Sequence, residues 1–130
     1  MATWDDLVEF VKSGYRVVAE TRDELRVIVQ FEDERSQVMI IAREVLDGTR
    51  EWVQIASPIG RAAQINVYDL LIQLGGMAVV GGAVIMGDHV VLRHSLPLAD
   101  LDAPEFTDPL ELLAGTADQL EEQFIRGDDY

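Results

Sequence analysis

The stretch Ala78–Leu98, AVVGGAVIMGDHVVLRHSLPL, decides the fold because it has the pattern of one β-hairpin. Two runs rich in β-branched residues flank Gly87-Asp88, a pair suited to a two-residue turn with positive φ. This turn places Val84 opposite Val91 and makes one face of the hairpin nearly all apolar. The second face carries Val80, Gly82, Val84, Met86, His89, Val91, Arg93 and Ser95. That mixture is too apolar for a surface left to water, and it indicates a binding partner more than a reaction.

A meander of three strands precedes the hairpin. Leu25–Phe31 has strand periodicity, with Leu25, Val27, Val29 and Phe31 on one face and Arg26, Ile28 and Gln30 on the other. Gln37–Leu46 is apolar on both faces like a central strand, and Glu51–Ser57 completes the meander. Pro58 is expected to end the third strand, because Pro cannot donate to a ladder. The turn at Asp47 has either two or four residues, and both lengths give the same faces. The predicted core side is Leu25, Val27, Val29, Phe31, Val38, Ile40, Ala42, Val53 and Ile55.

Three helices frame these strands. Thr3 begins the first, Asn66 is an expected N-cap for the second, and Asp108-Pro109 is an expected start for the third. The element order predicts an α+β fold, αβββαββα, with an antiparallel sheet packed with helices and a small extra strand near Tyr15. We expect one domain over residues 1–130, with the last helix closed by Gly127 and the tail 127–130 disordered.

The composition excludes several classes of protein. A net charge of −14, from 24 acidic and 10 basic residues, disfavours nucleic acid as a partner because phosphates favour a basic surface. The acidity serves solubility or attraction to a basic partner. The chain has no Cys, which excludes disulfides and cysteine nucleophiles. The N-terminus lacks the basic region of a signal peptide and no apolar run reaches about 20 residues, so we expect a soluble, cytoplasmic protein without membrane association.

The sequence offers no set of residues for catalysis or metal binding. His89 and His94 are the only histidines, and their spacing puts them on opposite faces of one strand. The acidic pairs Asp100/Asp102 and Glu121/Glu122 could bind a hard cation, but loop acids and a solvated helix face explain them better. We therefore predict a non-enzymatic protein with no cofactor and no metal.

The reverse side of the meander is the first candidate binding site. Trp52 and Arg43 are expected to share a face, so that the guanidinium sits on the indole. The candidate peptide-binding residues are Ile28, Met39, Ile41, Arg43 and Trp52. They would form a groove for an extended apolar peptide, in which Met supplies adaptability. The alternative is that the first or last helix covers this face.

The hairpin and the second helix form the candidate dimer surface. Both elements carry more apolar surface than one core needs, which favours self-association. The candidate interface residues are Leu71, Ile72, Val80, Val84, Met86 and Val91.

Several segments resemble one known family. Residues 52–58 (WVQIASP), the Gly87 hairpin into residues 90–93, residues 96–98 (LPL) and residues 117–120 (ADQL) resemble YbjN-domain proteins, which are similar in fold to class I type III secretion chaperones. The resemblance spans roughly Trp4 to Phe124. It implies a small, acidic, usually dimeric protein that binds an extended client segment; YbjN-type members are also described as regulators without an agreed activity.

We therefore predict a chaperone-like protein-binding module that holds an extended polypeptide as a homodimer. The alternative is a regulatory or sensory domain that binds a small ligand between sheet and helix.

Overall fold

A six-stranded antiparallel sheet forms the centre of the structure, a computed structural model that describes residues 1–125. The elements in chain order are α1 (Trp4–Gly14), β1 (Arg16–Glu20), β2 (Glu24–Gln30), β3 (Ser36–Leu46), β4 (Arg50–Arg61), a 3-10 turn (Ala62–Gln64), α2 (Val67–Gly75), β5 (Gly82–Met86), β6 (His89–Pro97) and α3 (Ala103–Phe124). The strand order is β1-β2-β3-β4-β6-β5. The α+β fold, the antiparallel sheet and the extra strand after Tyr15 are confirmed. The predicted helix end at Gly127 and the tail 127–130 lie outside the described residues.

The β5–β6 hairpin has the predicted register. Val84 pairs with Val91 and Ile85 with Val90 across a tight turn, in which Gly87 adopts a φ of 63°. A positive φ of this size is strained for most residues and costs Gly little, so Gly87 permits the turn. The hairpin therefore presents the two faces that its alternation predicts.

The register of β3 against β4 differs from both predicted alternatives. Leu46 pairs with Arg50, so the turn has the three residues Asp47, Gly48 and Thr49, and Asp47 and Gly48 have φ values of 54° and 73°. A shift of one residue turns every side chain of a strand to the opposite face of the sheet. The predicted core residues Val38, Ile40 and Ala42 therefore lie on the face away from the core, and that assignment is wrong.

Strand β4 continues past Pro58, which was predicted to end it. Pro58 pairs with Val91 of β6, and a β-bulge lies between Pro58 and Gly60. The pairing of β4 with β3 ends at Ile40 and Ala56, so the missing N–H of Pro58 removes no bond from that ladder. The Pro58 carbonyl accepts a hydrogen bond from Gln37 Nε2 at 2.8 Å.

Helix α3 begins earlier than predicted. Its N-cap is Asp102, whose carboxylate accepts from the Glu105 N–H, while the Glu105 carboxylate accepts from the Asp102 N–H, each at 3.0 Å. This reciprocal capping box satisfies two backbone donors and fixes the start, whereas the predicted start at Asp108 is wrong. Pro109 lies inside the helix.

The helices cover one face of the sheet. Fully buried side chains from β2, β3 and β4, including Val27, Met39 and Ile55, pack in one core with residues of α1 and α3. The rings of Phe10 and Phe106 meet edge to face at 6.3 Å and join those two helices. Helix α2 packs on the same side, near the end of the sheet formed by β5 and β6. None of the helices within residues 1–125 is long and apolar enough to cross a membrane.

Candidate functional site

The sheet face opposite the helices, here called the open face, carries a broad apolar concavity. Its volume is about 630 Å³ and it crosses β2, β3, β4, β6 and β5. The residues that line this open-face groove are Glu24, Arg26, Val38, Ile40, Ala42, Gln54, Ala56, Pro58, Met86, His89 and Val91. Side chains of five strands thus converge on one shallow site.

The floor of the groove is apolar because the strands place alternate residues on this face. Ile40 pairs with Ala56, and Pro58 pairs with Val91, so the floor runs without interruption from β3 to β6. Ile40 is only half-buried. When a partner removes the exposed part of an apolar side chain from water, the free energy of the complex falls.

Polar side chains border the apolar floor. On one side Glu44 Oε1 accepts hydrogen bonds from Gln54 Nε2 at 3.3 Å and from Ser95 Oγ at 2.9 Å. On another side Arg26 Nε donates to Glu24 Oε2 at 3.1 Å. An apolar centre with a polar rim is the usual anatomy of a protein–protein interface.

The predicted peptide-binding residues are divided between the two faces. Ile28 and Trp52 lie on the open face and are half-buried. Met39 and Ile41 are fully buried beneath the helices, so the prediction that they are accessible is wrong. A peptide cannot reach either side chain in this fold. The alternative that the first or last helix covers the whole predicted face does not hold for Ile28 and Trp52, which lie on the other side of the sheet.

Arg43 also lies on the helix-covered side, because it pairs with Val53 whereas Trp52 pairs with Glu44. The predicted stacking of Arg43 on Trp52 is therefore wrong. The Arg43 guanidinium instead donates to Glu51 Oε2 at 2.9 Å, and Asp23 lies 3.5 Å away. These two carboxylates raise the pKa of Arg43 above its ordinary value, chiefly through the Glu51 hydrogen bond.

Val38, Ile40 and Ala42 line the open-face groove but were not among the predicted binding residues. They occupy the open face in place of Met39 and Ile41 because the Asp47 turn has three residues. Strand β3 is apolar on both faces, so its own pattern contains no signal for this choice. The pair Asp47-Gly48 indicates a turn with positive φ, but such a pair is compatible with turns of two or three residues and so does not fix the face.

The predicted dimer residues lie around strand β5 but do not form one surface. Val84 and Val91 pair on the open face, where Val91 is already buried. Leu71 and Ile72 are exposed on α2, on the helix side of the sheet. Met86 is exposed on the open face and Val80 is half-buried in the segment before β5.

Exposed apolar side chains are concentrated at this end of the sheet. The following six are exposed by 48% or more and are here called the β5 corner: Tyr68, Leu71, Ile72, Val79, Ile85 and Met86. A cavity of about 220 Å³ between α2 and β5 adds further apolar surface. These side chains lie on both sides of the sheet around β5, so they mark this edge, not one face, as a candidate interaction surface.

The two histidines lie on opposite faces, as predicted. His94 pairs with Ile55 on the core side, and His89 pairs with Met86 on the open face. His89 Nδ1 lies 2.7 Å from Asp88 Oδ1, and this hydrogen bond lowers the pKa of Asp88. Within residues 1–125, no three His, Asp or Glu side chains are grouped so that they could hold a metal ion.

No protein-family model matches this chain, and no curated protein matches its sequence.

Proposed function

We propose that this protein is a non-enzymatic, chaperone-like binding module that holds an extended polypeptide segment on the open face and acts as a homodimer. One observation carries the proposal: a groove of about 630 Å³ with an apolar floor lies on the sheet face opposite the helices. Apolar sheet surface is normally covered by another layer, so a partner of complementary apolarity stabilises this one.

The groove fits a short segment. It crosses five strands, and neighbouring strands lie about 4.8 Å apart, which gives a length of about 19 Å. An extended chain rises about 3.3 Å per residue, so about six client residues fill the groove. Alternate side chains of such a segment point toward the floor formed by Ile40, Ala56 and Val91.

The rim supports an extended backbone, whose peptide groups need hydrogen-bond partners when they leave water. Gln54, Ser95 and Arg26 lie beside the apolar floor and supply polar side chains within reach of a bound segment. The net charge of −14 favours a client with basic residues that flank its apolar stretch.

The homodimer in this proposal is supported by the β5 corner, where six exposed apolar side chains gather at one end of the sheet. The resemblance to YbjN-domain proteins and secretion chaperones leads to the same expectation of a dimeric, client-binding protein.

The small-ligand alternative has less support. One cavity between sheet and helix, at α2 and β5, has a volume of about 220 Å³. A second, of about 350 Å³ at the start of α1, is lined mainly by charged side chains such as Asp5, Arg22 and Glu51, whereas ligand sites are lined mostly by apolar ones. Ligand sites usually occupy about 300–1,000 Å³. The space beneath α1 and α3 is filled by fully buried side chains such as Leu7 and Phe106.

Two fluorescent peptides of about twelve residues and identical composition test the client proposal. Both carry Lys at the ends; one has apolar residues at every second position, and the other has them at helical spacing. We expect the alternating peptide to bind in fluorescence anisotropy. Ile40→Asp places a charge on the groove floor and should weaken binding at least about tenfold.

Leu112→Asp is the matched control, because Leu112 is an exposed apolar residue on α3, on the opposite side of the sheet. It should leave peptide binding unchanged. Ala42→Arg is a second variant, which fills the groove without removing an apolar contact and should also weaken peptide binding. It keeps the test valid if Ile40→Asp fails to fold. Circular dichroism checks the folding of both variants. Tighter binding of the helical peptide, or equal loss in Leu112→Asp, would contradict the proposal.

A further inference from the structure

We infer that strand β5 pairs antiparallel with β5 of a second copy, centred on Val84, so that two sheets join and the open-face groove continues from one copy into the other. The inference rests on the proposed homodimer and specifies which strand, direction and register form it. Its basis is the contrast between the two sheet edges, the local charge, and the order of side-chain sizes in β5.

The two edges of the sheet are built differently. At one edge, β1 begins with Arg16, ends with Glu20 and contains a β-bulge between Val17 and Ala19. Charged ends and a bulge are the usual devices that block edge pairing. At the other edge, β5 has the sequence GAVIM, with no charge, no proline and a regular register against β6. Only β5 therefore offers a regular, uncharged edge.

Charge permits two copies to approach here although each carries −14. Asp69 is the only charged residue between Val67 and Gly87. The other long stretch without acidic residues, Trp52–Tyr68, lies mostly in β4, which is paired on both sides and offers no free sheet edge. The stretch that includes β5 and the β5 corner carries the single charge of Asp69, which limits the repulsion between two negatively charged copies.

The order of residue sizes in β5 makes the strand complementary to itself. Its side chains grow along the chain from Gly82 and Ala83 to Ile85 and Met86, with Val84 at the centre. An antiparallel pair centred on Val84 sets Gly82 opposite Met86 and Ala83 opposite Ile85 of the second copy. Each small residue then faces a large one, which fills space evenly on both faces.

The cavity between α2 and β5 fits this arrangement. Leu70, Leu71 and Ala83 are among its lining residues. Ile85 of the second copy, opposite Ala83, would extend over this cavity, and the two copies make the same contact twice because a two-fold interface is isologous. The 58% exposure of Ile85 in one copy would then be lost.

The pairing also extends the binding site. Met86 lines the groove at the β5 edge. With β5 joined to β5 of the second copy, the groove no longer ends at Met86 but continues across the two-fold axis. A client longer than about six residues could then occupy both halves, and the two halves together would increase its apparent affinity.

Cysteine cross-linking tests the register directly, since the native chain has no cysteine. Facing residues of an antiparallel pair have Cα atoms about 4.5–5.5 Å apart, within the range of a disulfide. Val84→Cys should therefore form a covalent dimer rapidly under mild oxidation. Met86→Cys is the matched control: it is more exposed than Val84, yet its two copies would lie about 14 Å apart along the strands, too far to be bridged.

Analytical ultracentrifugation completes the test. We expect a dimer for the native chain, and a folded monomer for Val84→Asp, which sets two carboxylates together at the axis. A monomeric native chain, or faster cross-linking of Met86→Cys than of Val84→Cys, would overturn the inference. Ile40→Asp separates the two proposals, because this variant should no longer bind the alternating peptide and should remain a dimer. If the native chain were a monomer that binds the peptide, the dimer inference would fail and the client proposal would stand.

Discussion

Arg35 and Asp118, 83 residues apart in the chain, are joined by a hydrogen-bonded ion pair with an Nε to Oδ1 distance of 2.9 Å. Arg35 lies in the loop between β2 and β3, and Asp118 lies on α3. Glu121, fully buried on the same helix, has its Oε1 at 3.4 Å from Arg35 Nη2. The loop and the helix are thus fixed to each other through charges that are largely removed from water.

Replacing Arg35 should destabilise the fold far more than replacing an exposed arginine. Arg35→Met removes a positive charge from two buried carboxylates, and we expect a loss of about 3 kcal/mol in the free energy of unfolding in urea. Arg50→Met is the control, since the Arg50–Asp47 pair is exposed and should contribute less than about 1 kcal/mol. Equal losses in the two variants would contradict the expectation.

Gly81 should be far less tolerant of substitution than Gly75. It has a φ of +77°, and an added Cβ would lie 2.7 Å from the carbonyl oxygen of Arg93. Gly81→Ala should therefore lower the free energy of unfolding by about 2–3 kcal/mol. At Gly75, at the end of α2, a Cβ meets nothing within 4 Å, so Gly75→Ala should be neutral or stabilising. A neutral Gly81→Ala would contradict the geometry.

Tyr15 should make the protein sensitive to alkali. Burial of the phenol, reinforced by the charges of Glu111 and Asp108, raises the pKa of Tyr15 from 10.0 to about 12. Between these values the unfolded chain releases the proton and the folded chain keeps it, so stability falls as the pH rises from 10 toward 12. Tyr15→Phe should lose less stability over this interval in chemical denaturation. If the free energy of unfolding fell equally with pH in the native protein and in Tyr15→Phe, the prediction would be refuted.

Client binding should depend on ionic strength. The charge of −14 attracts a client with basic flanks, and salt screens interactions between exposed charges. The alternating peptide should therefore bind more weakly at 0.5 M than at 0.05 M NaCl, by about tenfold, and mainly through slower association. A version of the peptide with Ser in place of the flanking Lys is the control. If salt affected both peptides equally, charge would play no part.

Local patterns predicted those elements whose signals are contained within a few residues. The β5–β6 hairpin follows from Gly87, and helix α2 begins as predicted at the N-cap Asn66, whose Oδ1 accepts from the Asp69 N–H at 3.1 Å. Alternation in β2 correctly placed Leu25 and Val27 in the core.

The candidate site was harder to predict because its central strand is apolar on both sides. Which face of β3 points to the core depends on whether the Asp47 turn has an odd or an even number of residues. Because the turn has three residues and not two or four, Met39 and Ile41 point to the core, and Val38 and Ile40 lie on the open face. Trp52 and Ile28 were assigned to the correct face because β2 and β4 alternate more clearly. The site therefore depends on a turn length that composition does not specify.

If two copies pair through β5 as proposed, the unequal edges of the sheet set an upper limit on the size of the assembly. A sheet with two smooth edges can add copies at both ends and grow into a fibre. Here each β5 strand would be paired with the other. Both edges of the joined sheet would then be β1 strands, with their bulge and the charged residues Arg16 and Glu20. Growth would stop after a single association step. A higher protein concentration would therefore increase the fraction of chains in dimers without producing larger assemblies.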